Sequence, residues 1–306
     1  MNRFCKYRIK FVFIVALFTS AGCGGLSRSA DNFPADENQT DTTAVDSVLR
    51  AQGQVLSAFY GLDNGLPFSS NVGICRGGGK ADGMPVIFDH EVDVNTLQAG
   101  DFRVVTKLGK VGEVICVTLF PALDMGELRT ALLVGEFGSA TDDPPVTVEI
   151  VGNLLSLDQT VNFKSAKIDV TPLLPGPTLI LAEIVPQEQW QLGKESGTGR
   201  GSGDGCPQGT TQIVRVVWAG GVERTDGEEP GGAERLLYQV TLEQSGGSSK
   251  VVTPFALADL GDGDNNHLLC LDVVGNPNAV SFPAGHLVDP NHDLNPDTSI
   301  AISALP

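Results

Sequence analysis

Thr118-Leu-Phe-Pro-Ala-Leu-Asp124 returns in the second half of the chain as Thr253-Pro-Phe-Ala-Leu-Ala-Asp259. A turn containing Gly and an acid follows each copy. An apolar run follows each turn, Thr130-Ala-Leu-Leu-Val-Gly135 in the first and His267-Leu-Leu-Cys-Leu-Asp-Val-Val-Gly275 in the second. Upstream, Asp101-Phe-Arg-Val-Val matches Leu237-Tyr-Gln-Val-Thr, and Val86-Ile-Phe matches Val216-Val-Trp. Downstream, Val148-Glu-Ile and Gly152-Asn-Leu154 match Val280-Ser-Phe and Gly285-His-Leu287. The offsets stay between 130 and 140 residues and the order is kept, the pattern of an internal duplication.

Each copy reads as β structure. Short β-branched runs at 85–88, 102–107, 113–119, 130–134 and 146–151 alternate with Gly, Pro, Asp and Asn turns. The second half repeats this at 212–218, 236–242, 250–255, 267–274 and 279–282. No long segment has helical period, and 37 glycines and 18 prolines punctuate the chain. Strands this short, spaced by turns, predict an all-β sandwich or barrel. Pro172, Pro175 and Pro177 mark a stiff connection between the halves, read as a hinge.

Phe88-Asp-His-Glu-Val-Asp-Val-Asn-Thr-Leu97, followed by Gly100-Asp-Phe-Arg-Val104, resembles a bacterial Ig-like domain of the kind repeated in S-layer and other surface proteins. The resemblance is strong over about 20 residues. It implies a seven-stranded Ig-like sandwich acting as a spacer, adhesion or interaction module, without catalysis; with the duplication, the expected architecture is two tandem Ig-like β-sandwiches. The second copy lacks the Val-Asp-x-x-Thr-Leu corner and carries a Gly/Glu-rich insertion at 220–232 instead.

The N-terminus states an address. Arg3, Lys6, Arg8 and Lys10 precede an apolar run at 11–18, followed by Thr19, Ser20, Ala21 and Gly22. This is the layout of an export signal, and the run is too short for a bilayer, which needs about 20 residues. Ser20-Ala21-Gly22-Cys23 resembles the bacterial lipobox, which implies a lipidated Cys23 as the first mature residue. Ser20 stands where that family has Leu, so cleavage after Ala21 is the alternative. Gly24 carries no inner-membrane retention signal by the same resemblance, which implies an outer-membrane or cell-surface location. The expected organisation is a signal peptide at 1–22, a lipid anchor and disordered tether at 23–55, and sandwiches at 56–175 and 176–306. Spacing of Val45, Val48, Leu49, Gln52 and Val55 predicts one short helix within 44–60.

The formal charge is −17 and becomes −21 once residues 1–22 are removed. Such a surface repels nucleic acid. The expected partners are the membrane, through the lipid anchor, and an envelope protein or polysaccharide. Cys75, Cys116, Cys206 and Cys270 are an even set in an exported chain and predict disulfides. Three pairings are open; the division into halves favours Cys75–Cys116 with Cys206–Cys270. None of the four shows metal-ligand spacing.

Two loops are dense in hard oxygen donors. One carries Asp259, Asp262 and Asp264; the other carries Asp289, Asn291 and Asp293. Alternating donors suit Ca²⁺, although neither loop completes an EF-hand and the same residues serve ordinary turns. His286 and His292 flank Asp289 without forming a recognisable transition-metal set. The Gly-rich stretch 197–205 lacks the Lys-Ser/Thr ending of a phosphate loop and reads as a flexible surface loop. Trp190 beside it is the one aromatic placed to stack on a sugar. No catalytic residue is assigned. The expectation is a non-enzymatic envelope lipoprotein with a binding, adhesion or structural role. The alternative is an envelope carbohydrate-active hydrolase using acidic loop residues, for which paired carboxylates would be the requirement.

Overall fold

A computed structural model describes residues 45–197, 201–244 and 246–303. The export signal, Cys23 and most of the expected tether lie outside them. The described chain is all-β. In its first half, β1 (Val55–Ala58), β2 (Asp82–Phe88), β4 (Glu113–Thr118) and β5 (Thr130–Glu136) form one antiparallel sheet in the order β1-β2-β5-β4. A second sheet has the order β3-β6-β7, from β3 (Phe102–Thr106), β6 (Pro145–Ile150) and β7 (Lys167–Asp169). The second half repeats this plan. Its first sheet, β8-β9-β13-β12, uses β8 (Leu179–Ile184), β9 (Gln212–Trp218), β12 (Ala256–Ala258) and β13 (Asn266–Leu271). Its second, β11-β10-β14-β15, uses β10 (Gln239–Glu243), β11 (Ser249–Val252), β14 (Asn276–Phe282) and β15 (Thr298–Ala301). The order is that of a constant-type Ig sandwich, with one extra strand, β11, on the second copy.

Register makes the duplication concrete. β1 pairs with β2 through a bulge at Leu56, and β8 pairs with β9 through a bulge at Ile180, in the matching place. Phe88 meets Phe102 with ring centroids 6.5 Å apart at 65°; their counterparts Trp218 and Tyr238 lie 6.5 Å apart at 67°. Each pair anchors its own core. Met84, Phe137 and Phe163 join the first, and Phe282, Leu269 and Val280 the second. The Val-Asp-x-x-Thr-Leu corner has a physical cause. Asp93 caps a single 3₁₀ turn through the Asn95 amide at 3.0 Å, and Thr96 Oγ1 accepts from Leu155 N at 3.0 Å. Leu97 is thereby delivered into the core.

Disulfides join Cys75 to Cys116 and Cys206 to Cys270. Both staple the loop preceding the central strand onto its own sheet, but the second anchor has moved one strand over. Cys116 lies in β4 opposite Val134, whereas Cys270 lies in β13 opposite Ala256. Each closes a long loop and stabilises by about 2–4 kcal/mol.

Several local expectations change. No helix forms in the described part of 44–60. Val45, Val48 and Leu49 face solvent, so their helical spacing has no core to serve. Ala51–Gln52 instead pairs with Val161–Asn162, so part of the stretch read as tether is ordered. The Pro-rich connection is tied down as well. A Cβ on Gly176 would lie 2.0 Å from the Leu294 carbonyl oxygen, so only glycine permits that approach.

Trp218 Nε1 donates to the Tyr238 hydroxyl at 2.9 Å, and that hydroxyl lies 2.7 Å from His267 Nδ1. All three side chains are buried. Burial holds the imidazole down to a pKa of about 4, below its ordinary 6.5. A depressed folded-state value means that the neutral ring stabilises the fold above pH 6.5. That contribution is lost as pH falls toward 4. Buried carboxylates titrate in the opposite sense, so the comparison must be with His267→Gln, which removes only the imidazole. Between pH 7 and pH 4 the parent should lose about 3 kcal/mol of stability relative to the variant in urea titrations. A constant difference across that range would exclude the imidazole as the titrating group.

Candidate metal centre

The two sandwiches meet through the outer faces of their β1-β2-β5-β4 and β8-β9-β13-β12 sheets. Ile87, Val217 and Leu181 form a small core there with Leu56 and Ile180 against it. Ile87 and Val217 occupy matching positions, as do the two bulged residues. Like therefore meets like across the joint, the arrangement of an isologous interface within one chain. This is why β2 and β9 are buried on both faces, their inner side serving a sandwich core and their outer side the joint. Among the described residues no strand pairing crosses from one sandwich to the other.

Beside that contact the turns after β4 and β12 come together. They share a sequence, Asp124-Met-Gly126-Glu127 and Asp259-Leu-Gly261-Asp262. Their glycines also share a conformation, Gly126 and Gly261 both having positive φ, +89° and +98°, although Asp259 has positive φ as well and Asp124 does not. One carboxylate oxygen from each of Asp124, Glu127, Asp259 and Asp262 lies within 4.8 Å of all the others. Glu127 and Asp259 are buried, at 1 % and 3 % exposed, while Asp124 and Asp262 are half-buried. The residues at 201–205 close over the group. Gly203 N donates to Asp124 Oδ2 at 3.1 Å, and Asp204 Oδ1 accepts from Leu260 N at 2.9 Å. A Cβ on Gly203 would stand 2.6 Å from Asp259 Oδ1, so the loop must carry glycine there. The described end of the Gly-rich stretch is thus packed against the site.

The electrostatics are lopsided. Lys194 Nζ pairs with Asp124 Oδ2 at 2.7 Å. Arg215 is close, but its Nη groups are spent on Glu183 Oε1 at 3.0 Å, Gly126 O at 3.2 Å and Met125 O at 2.6 Å, and its buried Nε meets no acceptor. Burial, and then the charge of Asp264, pushes Glu127 up to about 8. Burial and the adjoining Glu127 carboxyl push Asp259 up to about 11. Burial raises Asp262 to about 6. Carboxyl faces carboxyl across the joint, so Asp259 Oδ2 and Asp262 Oδ2 are buried and meet no donor.

Of the residues expected to bind metal, Asp259 and Asp262 belong to this group. Asp264 is committed to structure, accepting from Asn266 N at 2.7 Å and Asn266 Nδ2 at 2.8 Å. Asp289, Asn291 and Asp293 form a separate loop closed on itself. Asp289 Oδ1 accepts from the amides of Asn291 and Asp293, and Asn291 Nδ2 donates to Asp293 Oδ2 at 2.7 Å. Asp289 Oδ2 is left without a donor. Asp124 and Glu127 were not anticipated. The repeated Asp-x-Gly-acid turn was their signal. Trp190 is half-buried, donating to Val185 O at 2.9 Å, and is not an open stacking platform.

No protein-family model matches the chain, and no curated protein matches it. Solved structures of a bacterial S-layer protein, SbsC, are similar to it. Its N-terminal part aligns at 13 % identity and a TM-score of 0.27, over 82 % of this chain and 44 % of that one. The fragment rSbsC(31-844) aligns at 10 % identity and a TM-score of 0.27, over 83 % and 41 %. SbsC domains 1–6 align at 9 % identity with the same TM-score and the same coverage. This chain spans less than half the length of those chains. At that degree of likeness, the site has to be understood from its own geometry.

Proposed function

We propose that the chain is a non-enzymatic lipoprotein of the bacterial cell envelope, anchored through Cys23 at the outer membrane or cell surface, in which two Ig-like sandwiches work as one stiff structural or binding unit. The observation that carries this reading is the joint. Arg129 from the first sandwich and Arg215 from the second both pair with Glu183, at 3.3 and 3.0 Å, with all three side chains at most 4 % exposed. A hinge between independent modules has no use for a buried ionic triad. Two disulfides favour an oxidising compartment. The carbohydrate-hydrolase reading is disfavoured by space. The cavity beside the carboxylates is about 20 Å³, enough for a water-sized sphere and too small for a sugar ring.

Two readouts test the proposal. Spin labels at Lys107→Cys and Val274→Cys, both on exposed positions of different sandwiches, should give one narrow distance peak. A broad distribution would show modules that move independently. In cells of a lipoprotein-processing host, Cys23→Ser should move the protein from the membrane to the soluble fraction. Retention in the membrane would sink the anchoring half of the reading.

A further inference from the structure

We propose that Asp124, Glu127, Asp259 and Asp262 hold one Ca²⁺ ion, which ties the first sandwich to the second. Oxygens on opposite sides of a calcium ion bound at ordinary distances lie about 4.6–5.2 Å apart. The four carboxylates place one oxygen each within 4.8 Å of one another, the spread that one such ion requires. Two ligands come from each sandwich, at matching places of the Asp-x-Gly-acid turn. The ion would therefore sit on the line where like meets like.

Crowding of acids is not what argues for a cation. The argument rests on Asp259, a member of the group that is 3 % exposed and whose buried Oδ2 meets no donor. Asp262 Oδ2 is in the same position. Buried polar atoms are ordinarily satisfied, and an acceptor enclosed by other acceptors needs a cation. Lys194 does not fill this need, since its contact is with Asp124 Oδ2 and it remains 24 % exposed. The identity of the ion follows from the donors. Four carboxylates without nitrogen or sulfur exclude a zinc-type preference. Magnesium keeps most of its water and takes one or two carboxylates, whereas calcium accepts many oxygens in flexible geometry. The small adjoining cavity leaves room for about one water to complete the shell.

The test uses the full-length mature protein, stripped with EDTA and dialysed. Calorimetric titration with CaCl₂ should show one saturable site. Terbium should bind at the same site and light up through Trp190, which lines that cavity together with Asp124, Glu127 and Asp259. At free calcium about a hundred times Kd, Tm should rise by about 5–10 °C. Asp259→Asn is the chosen variant because the residue has φ +68°, which asparagine tolerates. It should weaken calcium on the order of 100-fold and abolish the rise in Tm. Asp124→Asn, at a half-buried position, gives a second variant with the same expected direction should the first not fold. Asp289→Asn in the C-terminal loop should change neither reading. The proposal is overturned by an absence of saturable binding at millimolar calcium, by binding that survives both cluster variants, or by binding that Asp289→Asn removes.

Discussion

Glu183→Ala is expected to lower the unfolding free energy by about 3–5 kcal/mol, measured by urea denaturation. Glu183 pairs with both buried guanidiniums. Its removal leaves Arg129 and Arg215 facing each other in a low-dielectric joint. Arg129 is already disfavoured as a cation there, because burial lowers its pKa and the Glu183 charge is the main opposing influence. Each arginine also donates to main chain, Arg129 Nε to Gly126 O at 3.1 Å and Arg215 Nη2 to Met125 O at 2.6 Å. Replacing all three members by apolar residues of similar size should recover only part of the loss, because those carbonyls would then lack donors. A cost below about 1 kcal/mol for Glu183→Ala would mean that water reaches the joint and screens the pair as it does at a surface.

Trp218→Ala should cost about 3–5 kcal/mol, and its effect should fall on the second sandwich. The indole is fully buried and packs edge-on against Phe282, with ring centroids 5.3 Å apart. It also supplies the Nε1–H that the Tyr238 hydroxyl accepts. Trp218→Phe keeps most of the packing and should cost less, with about 1 kcal/mol assignable to the lost hydrogen bond. Phe88→Ala, the matching change in the first sandwich, should cost a similar amount. If the joint couples the two halves, both substitutions will shift one common transition. Two separable transitions would instead mean that the halves unfold alone.

Much of the architecture was legible in the residues. Alternating short runs, turn chemistry and the ordered repeat carried the all-β class, and the cysteine positions carried both disulfides. What the chain could not disclose was which surfaces face each other. Asp259 and Asp262 stood out because their loop is dense in Asp and Gly. Asp124 and Glu127 did not, because their turn continues as Leu128-Arg129 and looks ordinary alone. Only the tertiary contact makes four scattered acids into one group. The helical spacing at 45–55 misled for a related reason: periodicity reports a face, but not whether anything covers it. Glycine richness at 201–205 suggested mobility, whereas two of those glycines are required by close approach to Asp259 and to the Gln191 carbonyl.

The joint's departure from symmetry has a consequence for selectivity. Arg129 and Asn265 hold matching places, their carbonyls accepting from Phe88 N and Trp218 N. Register likewise matches Glu183 with Phe59 and Arg215 with Pro85. On one side of the contact the chain therefore sets an ionic lock, and on the other an apolar recess of about 170 Å³ bordered by Phe59, Pro85 and Gly220. Two first sandwiches from different molecules, placed face to face, would set Phe59 and Pro85 opposite each Arg129 in place of Glu183, leaving only the more distant Asp89 and Glu91 of its own sandwich. Burying that charge unpaired is more costly than leaving the molecules apart. A self-complementary face is a hazard where many copies crowd a surface, because it invites exchange of halves between neighbours. Here the mismatch gives Arg129 an ionic partner on the second sandwich, where a first sandwich would offer Phe59 and Pro85.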